Sequence, residues 1–171
     1  MQLDRFTEQA RNIIQAGQML ATRQGHQRYT TEHMLKMLLE DAGVIVSPML
    51  QACGADVTTV EKAVDQALEK LPKVTGSGAG QIFLGPETAK ALDEAHHIAT
   101  KVGDSFVTVE RLLEALAIPS DTPASQILNE AGATSEALAL AIAQMRKGRK
   151  ADSASAEEHY ETLDKYTRDI T

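Results

Sequence analysis

Cysteine is almost missing from this sequence: among 171 residues there is one, Cys53. A single thiol cannot staple a domain, and no CxxC or Cys/His set is present to hold zinc, so a reducing compartment is expected. Tryptophan is absent and aromatic residues make up only 4%. The core therefore falls to Ala, Leu, Ile, Val and Met, the mixture that packs helices. Positive charge is in deficit, with a formal net charge of −7. Without clustered Lys and Arg there is no stripe to grip phosphates, and no polybasic attraction to anionic lipid. No apolar run approaches the roughly 20 residues that span a bilayer. Asp4, Arg5 and Glu8 stand where a secretory signal would carry its apolar core. These shortages predict a cytoplasmic protein that binds neither nucleic acid nor membrane.

What the sequence does have is helical periodicity. Leu3, Phe6, Ala10, Ile13, Ile14, Gly17, Leu20 and Ala21 recur at i, i+3, i+4 and i+7, and Gly25 stops that helix. Thr30 is positioned to cap a second, which carries Met34, Leu35, Leu38 and Leu39. Ser47-Pro48 reads as the N-cap and first residue of a third, closed by Gly54. Asp56 or Thr58 caps a fourth, which Pro72 ends. After the glycine-rich stretch Thr75 to Gly80, a flexible linker by composition, the pattern starts again. Pro86 opens a helix stopped by Gly103, and Thr108 caps the next. A short one runs near Ser125 to Ala131, and Thr134 or Ser135 caps the last.

The second half repeats the first. The interval that separates Gly25 from Gly103 also relates Ala21 to Ala99, Thr30 to Thr108, Glu32 to Glu110, Leu35 to Leu113, Leu50 to Leu128 and Gly54 to Gly132, without a gap. The matched positions are helix stops, caps and core residues, so one four-helix unit occurs twice. The predicted fold is all-α: eight helices in a pseudo-two-fold double repeat, followed by a flexible linker. Repeat one covers 3–71, the glycine/serine linker 73–81 and repeat two 82–146, together a domain over 1–147. Residues 148–171 read as a linker and the start of a further segment. From Lys147 the character changes: Lys147 to His159 is polar with no apolar face, and Tyr160, Leu163, Tyr166 and Ile170 begin a new pattern.

Candidate chemistry is thin. Glu94 and His97 form an E-x-x-H pair, but a di-iron bundle needs two such pairs and two more Glu. Glu32-His33 has the order of a zinc H-E-x-x-H motif reversed and lacks its second His. The Gly76 to Gly80 stretch has no following Lys-Ser/Thr and no preceding strand, so it is not a phosphate loop. Cys53 matches Ala131 in the repeat, so a small packed residue suffices there. No catalytic set is singled out by spacing, and neither a metal nor a cofactor is expected.

Longer stretches carry a resemblance. Met1-Gln2-Leu3-Asp4-Arg5-Phe6-Thr7, Val46-Ser47-Pro48-Met49-Leu50, Ala67-Leu68-Glu69-Lys70-Leu71-Pro72, Gly103-Asp104-Ser105-Phe106, Ala131-Gly132-Ala133-Thr134 and Ala143-Gln144-Met145-Arg146 resemble the N-terminal region of the Clp/heat-shock hexameric ATPases, and within them the ClpB-type disaggregases. The tail Leu163 to Thr171 is similar to the stretch that leads into their first ATPase module. The resemblance implies an eight-helix N-domain that captures exposed apolar segments of unfolded or aggregated protein. It hands them to a hexameric ring that works with a DnaK-type chaperone system. Docking of adaptor proteins, as in protease-coupled Clp unfoldases, is the alternative. ATP and Mg belong to the ATPase modules of such proteins. With no Walker A sequence in the chain, no enzyme activity is expected; because hexamer contacts in the family belong to the ATPase modules, a monomer is expected. The family's substrate-linked polar positions fall on Asp104, Thr7 and Glu110. Each also has a structural reading: Asp104 matches His26 in the repeat, Thr7 is placed to satisfy a free N–H in the first turn of helix one, and Glu110 matches Glu32 at a helix N-terminus.

Overall fold

In the computed structural model, residues 3–74, 82–147 and 149–157 are described. The glycine-rich stretch from 75 to 80 and the tail from 160 to 171 lie outside them. Eight helices are present among the described residues: α1 (Glu8–Arg23), α2 (Thr31–Asp41), α3 (Gly43–Ala52), α4 (Val57–Glu69), α5 (Pro86–Lys101), α6 (Val109–Leu116), α7 (Pro123–Glu130) and α8 (Ser135–Arg146). Two short strands, β1 (Arg28–Tyr29) and β2 (Phe83–Leu84), interrupt them. No described helix is long and apolar enough to cross a membrane.

The caps follow the local chemistry. Thr7, Asp56, Thr108, Thr122 and Thr134 each accept a hydrogen bond from a backbone N–H in the first turn of the helix they open. At the ends of α1 and α5, Gly25 and Gly103 adopt φ of +73° and +86°, a conformation only glycine enters freely. The matching breaks confirm that the repeat is structural.

Three boundaries differ from the sequence reading. Helix α1 begins at Glu8, not Leu3, because residues 5–7 are drawn into pairing with the other repeat and Thr7 becomes the cap. Helix α3 starts at Gly43, which places Ser47-Pro48 inside it rather than at its mouth. Burial of Ile45 and Val46 holds that first turn in place. Pro48 forfeits the bond to the carbonyl of Val44, a residue on the solvent side. Helix α7 starts two residues before Ser125, capped by Thr122.

The two repeats interlock through their entries. The β1 and β2 strands pair in parallel, with Tyr29 opposite Leu84. The symmetric counterpart is the parallel bridge of Phe6 with Val107. Gly85 N–H donates to Tyr29 O at 3.0 Å, and Thr7 N–H to Val107 O at 3.0 Å. Each repeat thus threads its first residues against the loop of the other. Helices α2 and α6 lie at the centre, and every residue of α6 is buried. One continuous core runs through both repeats, built on Phe6, Ile14, Leu35, Leu38, Leu113 and Leu128 among others. Close packing of this kind makes a buried leucine worth about 2–5 kcal/mol against alanine.

Candidate functional site

Asp104, Thr7 and Glu110, far apart in sequence, converge around the N-terminus of α6. Thr7 comes from the cap of α1, Asp104 from the turn after α5, and Glu110 from the first turn of α6. All three are buried: Thr7 and Glu110 are 0% exposed and Asp104 is 7% exposed.

Arg146, at the end of α8, ties the acidic pair together. Its Nη1 donates to Asp104 Oδ2 at 2.7 Å, its Nε to Glu110 Oε1 at 3.0 Å, and its Nη2 to Thr108 Oγ1 at 2.9 Å. Arg111 Nε stands 3.7 Å from the same Asp104 oxygen, and its Nη1 pairs with Glu114. Charges this deep persist only when paired, so the network is a matched set rather than spare polarity. Burial pushes the Glu114 carboxyl up from its ordinary value, and Arg111 beside it opposes the rise.

The chain then returns over this site. Residues 149–157 lie against α1, α6 and the turn at Asp104. Ala151 N–H donates to Asp104 Oδ1 at 2.9 Å, and Ala151 O accepts from Ser105 and Phe106 N–H. Ala154 O accepts from Glu8 N–H at 2.8 Å. Glu157 Oε2 accepts from Thr7 Oγ1 at 2.6 Å and from Val109 N–H at 3.0 Å. The sequence reading placed these residues in a linker without an apolar face. The part at 149–157 is held to the domain by hydrogen bonds, not by apolar area, which is why periodicity gave no sign of it. Burial, and then the carboxylate of Glu110, push the Glu157 carboxyl up to about 7.

The resemblance named Thr7, Asp104 and Glu110; the structure brings them together with Arg146, Arg111 and Glu157, which were not named. One signal was available: Arg146 stands where repeat one has Leu68, a core residue. An arginine at a core position of a repeat requires acidic partners nearby.

Repeat one carries different chemistry at the equivalent place. His26 and His33 take the positions of Asp104 and Arg111, with His26 Nδ1 2.7 Å from His33 Nε2. Thr30 N–H donates to His33 Nδ1 at 3.0 Å, so that nitrogen is the acceptor and the proton of neutral His33 sits on Nε2, facing His26. Burial, and then the proximity of His26, push His33 down to about 4. A cleft of about 600 Å³ opens here, lined by His26, Thr30, Glu32, Leu71 and Pro72 among others.

Among the described residues no three His, Cys, Asp or Glu side chains gather where they could hold a metal ion. Burial pushes the Cys53 thiol up, away from the reactive thiolate. Among the described residues, large apolar side chains on the surface are Met19, Val44, Phe83, Leu84 and Leu140, of which Phe83 and Leu84 are adjacent on β2.

Comparison with known proteins places this architecture. The family model described as the Clp repeat (R) N-terminal domain matches residues 5–131. The chain is 48% identical over its whole length to the chaperone protein ClpB of Rhodopseudomonas palustris. It is 44% identical, again over its whole length, to that of Mesorhizobium japonicum. In both cases it spans 20% of the relative's length. Among solved structures, the N-terminal domain of Hsp104 from Candida albicans superposes with a TM-score of 0.76 at 22% identity, over 90% of this chain and 99% of that one. The interlocked double repeat, the sequence match and the shared fold agree: the chain belongs to the Clp N-terminal domain family.

Proposed function

We propose that this chain is the substrate-capturing N-terminal domain of a ClpB-type disaggregase. In this reading it binds exposed apolar segments of unfolded or aggregated protein and passes them to an ATP-driven hexameric ring. ATP and Mg act in the ring's own modules, and a DnaK-type chaperone system works with the whole assembly. Thr7, Asp104 and Glu110 form the polar rim, and the domain itself is a monomer over 1–147 with 148–171 leading toward the ring. The observation that carries the reading is convergence. Three residues named from family resemblance come together from three elements, on a strip where main-chain donors and acceptors are also presented.

Such a strip suits an extended peptide. Val109 N–H, Ser105 N–H and Glu8 N–H, each held in this structure by the chain's own residues 151–157, are donors that read backbone or carboxylate oxygen without reading sequence, as a tolerant chaperone surface requires. Exposed Phe83 and Leu84 lie at the other entry, paired with Arg28 and Tyr29, and offer apolar contact of the kind that gives affinity without specificity. Binding by one domain is expected to be weak, because ordering a flexible peptide costs entropy. Several domains on one ring would act together through effective concentration.

The test is a titration of the fragment with a fluorescently labelled, permanently unfolded protein, alongside Thr7→Ala and Asp104→Asn at a temperature where each is folded. Saturable binding, weakened in the variants, supports the reading. Saturable binding unchanged in both variants moves the site elsewhere on the domain. No binding at high micromolar concentration contradicts the reading and turns attention to adaptor docking.

A further inference from the structure

The rim residues are not open to solvent: each is already engaged by the chain's own residues 146–157. Asp104 holds Arg146 and the Ala151 N–H, Glu110 holds Arg146, and Thr7 donates to Glu157. The contacts made by 149–157 use main-chain groups and one carboxylate, which a foreign peptide also carries. Main-chain carbonyls at Ala151 and Ala154 meet main-chain amides, one main-chain amide meets a carboxylate, and a single acidic side chain meets the amide at the mouth of α6.

The hold is also slight. Ala151 and Ala156 form a small cluster of their own, separate from the main core, so two alanine side chains supply the buried apolar surface of the segment. Glu157 Oε1 and Glu110 Oε2 are both buried with no hydrogen-bond partner among the described residues. That strain is one a departing segment would relieve. Segments with few apolar contacts open locally at little cost.

We infer that residues 149–157 are an intramolecular ligand of the rim, occupying it in the free domain and leaving it before a substrate segment takes the same donors and acceptors. The inference rests on the proposed substrate-capturing role. The chemistry of the occupant states the class of segment that fits. It is open at its first residues and turns at its end, with a bend at Ser153 and Ala156 N–H bonded back to Ser153 O; it is small at the position that meets Asp104 and at the one just before the acid, and carries a carboxylate six positions after the first. Because the competent state is only a fraction of the molecules, apparent affinity is reduced by that fraction. Where the segment leaves readily, substrate binding is strong; where it is held, binding is weak.

Two variants release the segment without touching the rim: Glu157→Arg, which sets a cation against the helix N-terminus, and Ala156→Asp, which buries a charge. They change net charge in opposite directions, so an effect common to both reports release and not charge. Amide hydrogen exchange at Ser105, Phe106 and Val109, and anisotropy titration with labelled, reduced and carboxymethylated lactalbumin, are measured on wild type and both variants. The expected result is faster exchange at those amides together with a roughly three- to ten-fold lower apparent Kd in both. A synthetic peptide of the sequence from 149 to 157, added in excess, should then compete with the unfolded protein for the released variants. Unchanged exchange overturns the inference, since the segment is then not what protects those amides. Faster exchange with an unchanged or higher Kd, or no competition by the peptide, overturns it too, while wild-type binding leaves the substrate-capturing role standing. Binding in none of the three proteins removes both.

Discussion

Arg146 shows how a repeat diverges one residue at a time. Leu68 fills the equivalent position with apolar bulk and needs no partner, whereas Arg146 reaches Asp104, Glu110 and Thr108. Removing the guanidinium leaves Glu110 buried without its cation and Asp104 with only the longer ionic contact to Arg111 at 3.7 Å. Arg146→Ala is therefore expected to cost about 3–5 kcal/mol, read from urea denaturation; a loss under 1 kcal/mol would show that the network is solvated. His33 gives the opposite kind of case. Its pKa is lowered, so the folded state takes up fewer protons than the unfolded chain below about 6.5. Its stabilising contribution is present above that pH and is lost as pH falls toward about 4. The urea midpoint should fall across that window, and an imidazole of His33 that titrates by NMR at 6.5 or above contradicts the assignment.

At the scale of elements, α6 and the returning segment behave differently. Helix α6 is short but wholly buried, and its stability comes from packing rather than propensity. Leu113→Ala should cost about 2–5 kcal/mol, measured as a shift in denaturation midpoint at constant slope. The docking of 149–157 should respond to pH with a sign that the Glu157 environment sets. Its carboxyl is pushed up to about 7, by burial and by Glu110, which is itself paired with Arg146. The docked state thus holds a proton that the free segment releases near 4.5. Docking is strongest below about 4.5 and weakens as pH rises through about 7. Exchange at the Val109 amide, corrected for its intrinsic pH dependence, should lose protection over that range in wild type. In Glu157→Gln the pH dependence should vanish.

The whole molecule is a pair of repeats that exchange their entry strands and share one core. Neither half buries its central helix alone: α2 and α6 pack on each other across the pseudo-two-fold. Separating the halves should therefore leave each without cooperative unfolding, which calorimetry on residues 3–74 expressed alone would reveal; a sharp transition there would mean that each repeat is a domain in itself.

Much of this was legible in the sequence, for a physical reason. Helix stops and caps are local: Gly25 and Gly103, Thr7, Thr108 and Thr134 act on backbone within a few residues, so the residues themselves announce the eight helices and their repetition. The all-α class followed from apolar spacing, which records which face of each helix is removed from water. What only the tertiary structure decided is what depends on partners far along the chain. Helix α3 begins early because Ile45 and Val46 are pulled into a core assembled from other elements, and residues 5–7 are extended because a loop beyond 100 residues away offers them pairing. Residues 149–157 carry no apolar period to betray that they dock, since their attachment consists of hydrogen bonds, made by main-chain groups that every residue possesses and by the single Glu157 side chain. Thr7, Asp104 and Glu110 could be named from resemblance, but their shared engagement by Arg146 and Glu157 is a property of three-dimensional proximity, which no local pattern encodes.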